Sequence, residues 1–276
     1  MARKPASDFP FYTVLILISS TYLLLIAGML AADAAYLISP PSSAEGLEPP
    51  GTGPAIISSL ADPSIQYSIW LSLVSTTITA LLSLLFAVPI GYLFSRHQFR
   101  GKNFLDAMLD IPFVLPPLVV GLSLLILFQY FDESIRSRIV YEVPAVILAQ
   151  FVVSCALAVR VMRATFDQIE PRLEQVALTL GCSRSQAFSL VVLPETAPGL
   201  ITAGTLAWAR ALGEFGPLLV FAGATRGKTE VLSTTVFLEL SIGNLPGAVA
   251  VSLLMIAMAF AVLMVARRWG SRYLAL

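Results

Sequence analysis

Apolar residues in this chain run in long uncharged blocks rather than in amphipathic stripes. Thr13 to Ala32, Ser68 to Ser95, Ile111 to Phe131, Val143 to Val159 and Leu240 to Ala266 each contain no Asp, Glu, Lys or Arg. A further block, Thr196 to Thr225, is as long but contains Arg210 and Glu214. A hydrocarbon core ~30 Å thick takes about 20 apolar residues in a helix rising ~1.5 Å per residue. The pattern therefore predicts an all-α, polytopic membrane helix bundle with six transmembrane helices. One transmembrane domain is expected over residues 1–276, with a first span at 13–32, a loop at 33–67 and spans two to four within 68–163. A polar segment at 164–197 and spans five and six within 198–276 complete it. Arg3 and Lys4 before the first span and "AADAA" after it also fit a signal peptide, but the apolar run exceeds the ~7–15 residues of a signal core.

Composition agrees. Of 276 residues, 57% are hydrophobic and 12% charged, against about 25% charged in an ordinary soluble domain. Basic and acidic residues number 17 each, so the whole-chain charge gives no basis for binding nucleic acid. Their placement is more informative. With the amino terminus in the cytoplasm, Arg3, Lys4, Arg96, Arg100, Lys102, Arg160, Arg163, Arg172, Arg184, Arg267, Arg268 and Arg272 fall inside, and only Arg136, Arg138, Arg226 and Lys228 fall outside. This satisfies the positive-inside bias and places both termini in the cytoplasm. The loop at 33–67 has Asp33, Glu45, Glu48 and Asp62 and no basic residue, as an external loop should.

Three features lead nowhere. "GATRGKT", Gly223 to Thr229, is one residue short of the glycine, four residues, Gly-Lys-Ser/Thr spacing of a phosphate loop, and it follows an apolar span rather than a strand. It also falls on the outer side, where ATP is not available. Cys155 and Cys182 belong to a span and a polar loop, different depths that disfavour a disulfide. The single histidine, His97, sits in the basic loop "SRHQFRGK" without the Cys, His or carboxylate companions of a metal site.

Between spans four and five, the segment 164–197 is too long for a simple connection in a compact bundle. Pro171 suits a first helical turn, and Leu173, Val176, Ala177 and Leu180 recur at helical spacing. Gly181 suits a helix C-terminus, Ser183 an N-cap for a second short helix, and Pro194 its end. A cytoplasmic helix-turn-helix is predicted. An amphipathic hairpin resting on lipid would carry a lysine-rich face, whereas this segment has no lysine and sets Arg172 and Arg184 among Glu170, Glu174 and Glu195. A protein partner fits better.

"EQVALTLGCSRSQAFSLVVLP" resembles the EAA loop of ABC-importer permeases, which docks into a cleft of the ATPase subunit. The triplet falls on Gln175, Val176 and Ala177, the glycine on Gly181 and the terminal pair on Leu193 and Pro194. Gln175 replaces the usual glutamate, with Glu174 just before it. "VLPPLVVGLSLL" in the third span and "LAWARALGEFGPLLVFAG" in the fifth resemble the molybdate, tungstate and sulfate permeases of that superfamily. The resemblance implies a type I importer permease in the bacterial inner membrane, working as a homodimer with two cytoplasmic ATP-binding subunits and an external oxyanion-binding protein. It implies no cofactor on this chain, ATP and magnesium being handled by the partner, and ATPase coupling through Glu174, Gln175, Ala177, Gly181, Leu193 and Pro194. Molybdate or tungstate is the expected cargo, with sulfate the alternative.

Arg210 and Glu214 stand four residues apart, near enough to pair on one helical face. The bland alternative is an intrahelical salt bridge that merely permits insertion. Intramembrane charges usually face a bundle interior or a water pathway, and Gly213 and Gly216 let another helix approach closely. Arg210, Gly213, Glu214, Phe215 and Gly216 are therefore the expected pathway or gate. Pro116, Pro117 and Gly121 predict a distorted third span, and the Ser/Thr-rich "WLSLVSTTITALLS" of the second can equally be explained by close helix packing. Two rival functions find less support: a proton-coupled secondary transporter would show repeated halves, and a membrane enzyme would need a catalytic cluster that the sequence does not display.

Overall fold

The computed structural model describes residues 9–38 and 61–273. Arg3, Lys4 and the Pro/Gly-rich part of the 33–67 loop lie outside the described residues. Among the described residues, regular structure is helical throughout. In chain order the elements are α1 (Phe9–Ile38), α2 (Pro63–Arg96), α3 (Lys102–Val114), α4 (Pro117–Gln129), α5 (Glu133–Ile139) and α6 (Val143–Gln168). There follow α7 (Pro171–Thr179), α8 (Arg184–Glu195), α9 (Ala197–Leu212), a π turn at Leu218–Ala222, α10 (Leu232–Ser241) and α11 (Leu245–Tyr273). Four helices are long and apolar enough to cross a membrane, or six if the bent pairs α3–α4 and α8–α9 each count as one span.

The core is the pairing of α2 with α6, against which α9 packs. Helix α2 begins at Asp62, whose carboxylate accepts from the Ser64 N–H at 2.8 Å and the Ser64 hydroxyl at 2.6 Å. Those bonds hold the Asp62 carboxyl below its ordinary value, because they favour the charged form. Along α2, Ser68, Ser72, Ser75, Thr76, Thr79 and Ser83 are all buried, and α6, which packs along it, buries Ala145, Ala149, Ser154 and Ala156. Small side chains let the backbones approach, which is how helices associate where lipid removes the hydrophobic driving force. Several of the hydroxyls return to their own helix, as Thr76 does to the Ser72 carbonyl at 2.6 Å. Thr79 reaches across to Gln150 Oε1 at 3.3 Å. The Ser/Thr run is thus a packing seam. Helix α1 is different: its large apolar side chains from Tyr12 to Met29 are exposed, apart from a half-buried Ile26, as suits a helix solvated by lipid.

Several expected boundaries move. The block Ile111 to Phe131 is two helices bent by 113°: Pro116 has no N–H to continue α3, and the residue before it, Leu115, is extended at ψ 138°, as a pre-proline residue prefers. The fourth span runs on from Val159 to Gln168, carrying Arg160 and Arg163 at its end, where Asp110 and Asp106 of α3 pair with them. The Arg163–Asp106 contact is 2.5 Å. The fifth block is not one helix: α9 stops at Leu212, and helical structure resumes at Gly216 and Pro217, which lead into the π turn. Leu240 to Asn244 do not open the sixth span; they end the separate helix α10 and make a turn with Gly243 at φ +79°.

The predicted helix-turn-helix is present as α7 and α8. Gly181, at φ +93°, closes α7 while Cys182 N donates to the Ala177 carbonyl at 3.1 Å and Gly181 N to that of Leu178 at 3.1 Å, a Schellman arrangement that needs glycine at this point. Ser183 caps α8 through a capping box with Gln186. Pro194, however, does not end the second helix. The widened π turn at Phe188–Val192 precedes it, relaxing the spacing that makes proline clash inside an α-helix. The run continues to Glu195 and bends by 69° into α9. Both cysteines are free.

Candidate functional site

The two apolar motifs singled out in the third and fifth blocks meet. A Cβ placed on Gly216 would lie 2.6 Å from Pro117 Cβ and 3.0 Å from its backbone carbon. One placed on Gly121 would lie 2.8 Å from Pro217 Cα. Each glycine thus receives the other segment's proline, and the crossing leaves no space for a methyl group. This reciprocal lock was not visible from either motif alone, although both glycine–proline combinations were.

Beside the lock, the fifth segment is broken. Gly213 caps α9 and is exposed, and Glu214, Phe215, Gly216 and Pro217 carry the chain to the π turn. Arg210 Nη1 lies 2.5 Å from Glu214 Oε2. The pair forms, but not within one helix as expected: it straddles the end of α9, because Glu214 follows the helix stop. The exposures are unequal, 34% for the Arg210 side chain and 2% for Glu214. The carboxylate is inside the protein while the guanidinium reaches its surface. Ser233, just inside α10, donates its hydroxyl to the Glu214 carbonyl at 2.6 Å, supplying a partner to backbone that the break frees. Phe215 packs on Phe237 of α10, their centroids 5.4 Å apart.

The other predicted cluster, Glu174, Gln175, Ala177, Gly181, Leu193 and Pro194, gathers on the α7–α8 hairpin, away from the lock. Its members do not share a face. Ala177 is buried, Gln175 is exposed, and Glu174 is half-buried against α2. Val176 and Leu180 are 55% and 80% exposed, an apolar face without intrachain cover.

The loop "GATRGKT" is a folded turn that binds its own chain. The Thr225 carbonyl accepts from the N–H groups of Lys228, Thr229 and Glu230, Arg226 pairs with Glu239 at 2.7 Å and Lys228 with Glu142 at 2.5 Å. Its cations are occupied by carboxylates, and no phosphate cradle is formed. Sequence reading missed the carboxyl group of Glu230, which is buried in this loop. Burial pushes it above its ordinary value, with Thr235 and the charge of Arg226 offsetting that in part. Among the described residues no group of His, Cys, Asp and Glu could hold a metal ion.

A bundle with broken apolar helices and a protruding hairpin defines a polytopic membrane protein, and comparison with known proteins narrows the class. Residues 87–275 match the family described as binding-protein-dependent transport system inner membrane component, and the chain belongs to that family. It is 30% identical over 220 residues to the sulfate transport system permease protein CysT of Escherichia coli, covering 78% of this chain and 79% of that one. It is 33% identical over 225 residues to the molybdenum transport system permease protein ModB of the same organism, covering 77% and 96%. With the molybdate/tungstate permease WtpB of Pyrococcus abyssi it shares 36% identity over 167 residues, covering 60% and 64%. The fold is that of a bacterial ABC transporter that imports the polysaccharide alginate, with a TM-score of 0.72 at 16% identity over 96% of both chains. The MetNI methionine transporter gives 0.64 at 18% identity, over 80% of this chain and 99% of that one.

Proposed function

We propose that this chain is the membrane permease of an ATP-driven importer for a tetrahedral oxyanion, molybdate or tungstate ahead of sulfate. Two copies form the passage, an external binding protein delivers the ion, and two cytoplasmic ATP-binding subunits that carry ATP and magnesium dock on the α7–α8 hairpins. The observation that carries the reading is the break in the fifth segment. There a buried carboxylate holds a half-exposed arginine next to an interlocked helix crossing. A broken helix within a membrane protein belongs where it is buried or lines a passage. Arg210 gives that passage a cation for an anionic cargo, and its pairing with Glu214 keeps the attraction from becoming a trap. The names of the relatives, molybdate, tungstate and sulfate permeases, support the class of ion. The exposed Val176 and Leu180 support a protein-covered hairpin.

Uptake of molybdate, tungstate and sulfate by cells carrying the complete transporter tests the assignment. Vanadate-sensitive uptake of at least one, molybdate or tungstate first, is the expected result; import of a sugar or amino acid instead would sink it. Vanadate-insensitive, proton-driven uptake would favour a secondary transporter. In the same assay Arg210→Gln, checked for normal abundance, is expected to reduce uptake at least tenfold, on the order of 1.4 kcal/mol in the passage. Wild-type transport by a well-folded variant would remove Arg210 from the passage.

A further inference from the structure

The hairpin's Glu174 turns back into its own chain. Tyr92 of α2 donates its hydroxyl to Glu174 Oε1 at 2.7 Å. Arg96, one turn along, places Nε 4.0 Å from Glu174 Oε2 and donates from Nη2 to the Ile169 carbonyl at 2.8 Å, where α6 ends. The Arg96 and Glu174 side chains are only 10% and 17% exposed, so the hydrogen bond from Tyr92 to the Glu174 carboxyl is largely shielded from water, with the Arg96 charge nearby. Tyr92 also meets Phe166 of α6 and Phe188 of α8 edge-on, with centroids 5.5 and 4.9 Å away. One tyrosine therefore ties α2, α6, α7 and α8 together. Adjacent helical residues point about 100° apart, and Gln175, next to Glu174, is exposed beside Val176.

Helix α2 continues the connection. Near its other end Ser72 Oγ accepts from the Leu232 N–H at 2.8 Å, and the next residue, Ser233, holds the carbonyl of Glu214. We infer that Tyr92, Glu174 and Arg96 are positioning residues that make the docking hairpin and α2 move as one body toward the Glu214 break, while Gln175 rather than Glu174 faces the ATP-binding partner. The inference rests on the reading of the hairpin as the docking element. A helix touching both sites is a physical route for such coupling.

The test uses the complete transporter with its binding protein in proteoliposomes, reading ion transported per ATP hydrolysed and retention of the ATP-binding subunits on purification. Tyr92→Phe is expected to keep those subunits and their ATP turnover while transport per ATP falls at least about fivefold, the lower end of ordinary site-to-site coupling, and Glu174→Ala to lower the same ratio. Glu174→Gln, whose amide oxygen still accepts from Tyr92, recovers most of the ratio. Gln175→Ala instead weakens subunit retention. An unchanged ratio in both Tyr92→Phe and Glu174→Ala, or subunit loss in Glu174→Ala but not in Gln175→Ala, overturns the inference. Spin labels at Ser185 and Gln98 provide a readout that depends on neither cargo nor partner: one narrow distance is expected in the wild type and a broad distribution in Tyr92→Phe. Equal widths overturn the rigid link, whereas failure of any ATP-binding subunit to co-purify with the wild type would remove the docking reading alone.

Discussion

Gly216 and Pro117 meet with no room for a methyl group, and so do Gly121 and Pro217. Gly216→Ala would force two backbones apart at a point where the nearest atoms cannot rotate away, and overpacking of this kind costs about 1–3 kcal/mol. The expected outcome is a lowered melting temperature in detergent and reduced transport, with Gly213→Ala as a mild control, because its nearest neighbour to an added Cβ is 3.9 Å away. Equal effects at the two positions would dissolve the lock. Glu230 gives a second prediction at this scale. Its burial raises the carboxyl above its ordinary value, so the folded state holds the proton more tightly than the unfolded one. That contribution is fully present below the unfolded value near 4.5 and is lost as pH rises through the folded value. Glu230→Gln is therefore expected to raise thermal stability at neutral pH and to bring the two proteins together as the medium is acidified; a constant difference across pH would refute it.

The α7–α8 hairpin shows at the next scale how much local chemistry specifies. Pro171, Gly181 and Ser183 each sit where start, stop and cap rules require, and the two helices form around them as predicted. Gly181 has open space around its missing Cβ, so only its φ of +93° forbids a side chain. Gly181→Val is expected to cost about 1–2 kcal/mol locally and to misalign the hairpin, reducing transport-coupled ATP turnover at normal abundance. Normal coupling would show that the turn angle does not matter to docking. Pro194 marks the limit of such reading, because the π turn ahead of it absorbs the proline that ought to have ended the helix. The helix breaks follow the same lesson. Pro116 and Pro117 announce a distortion, but nothing local fixes a 113° bend; Asp106 and Asp110, pairing with Arg163 and Arg160, hold α3 along the end of α6.

For the whole molecule, the asymmetry of basic residues predicts an orientation that labelling can check. Single cysteines at Ser43 and Ser137 are expected to react with an impermeant reagent from outside intact cells, and those at Gln98 and Ser185 to be protected. The reverse pattern would turn the molecule over and take the hairpin away from a cytoplasmic partner. Long uncharged blocks by themselves determined that this is an all-helical membrane bundle, since lipid leaves an apolar backbone little choice but to bond within its own helix. The hairpin and the pairing of Arg210 with Glu214 were also legible, because both depend on residues close in sequence. Where the fifth segment breaks, that Glu214 is buried while Arg210 is not, that Gly121 and Gly216 each receive a proline from the other segment, and that Glu174 accepts a hydrogen bond from Tyr92 were decided only by the tertiary structure. Those facts depend on which distant backbones come within van der Waals contact, and close approach between segments about 100 residues apart leaves no periodic mark in either one.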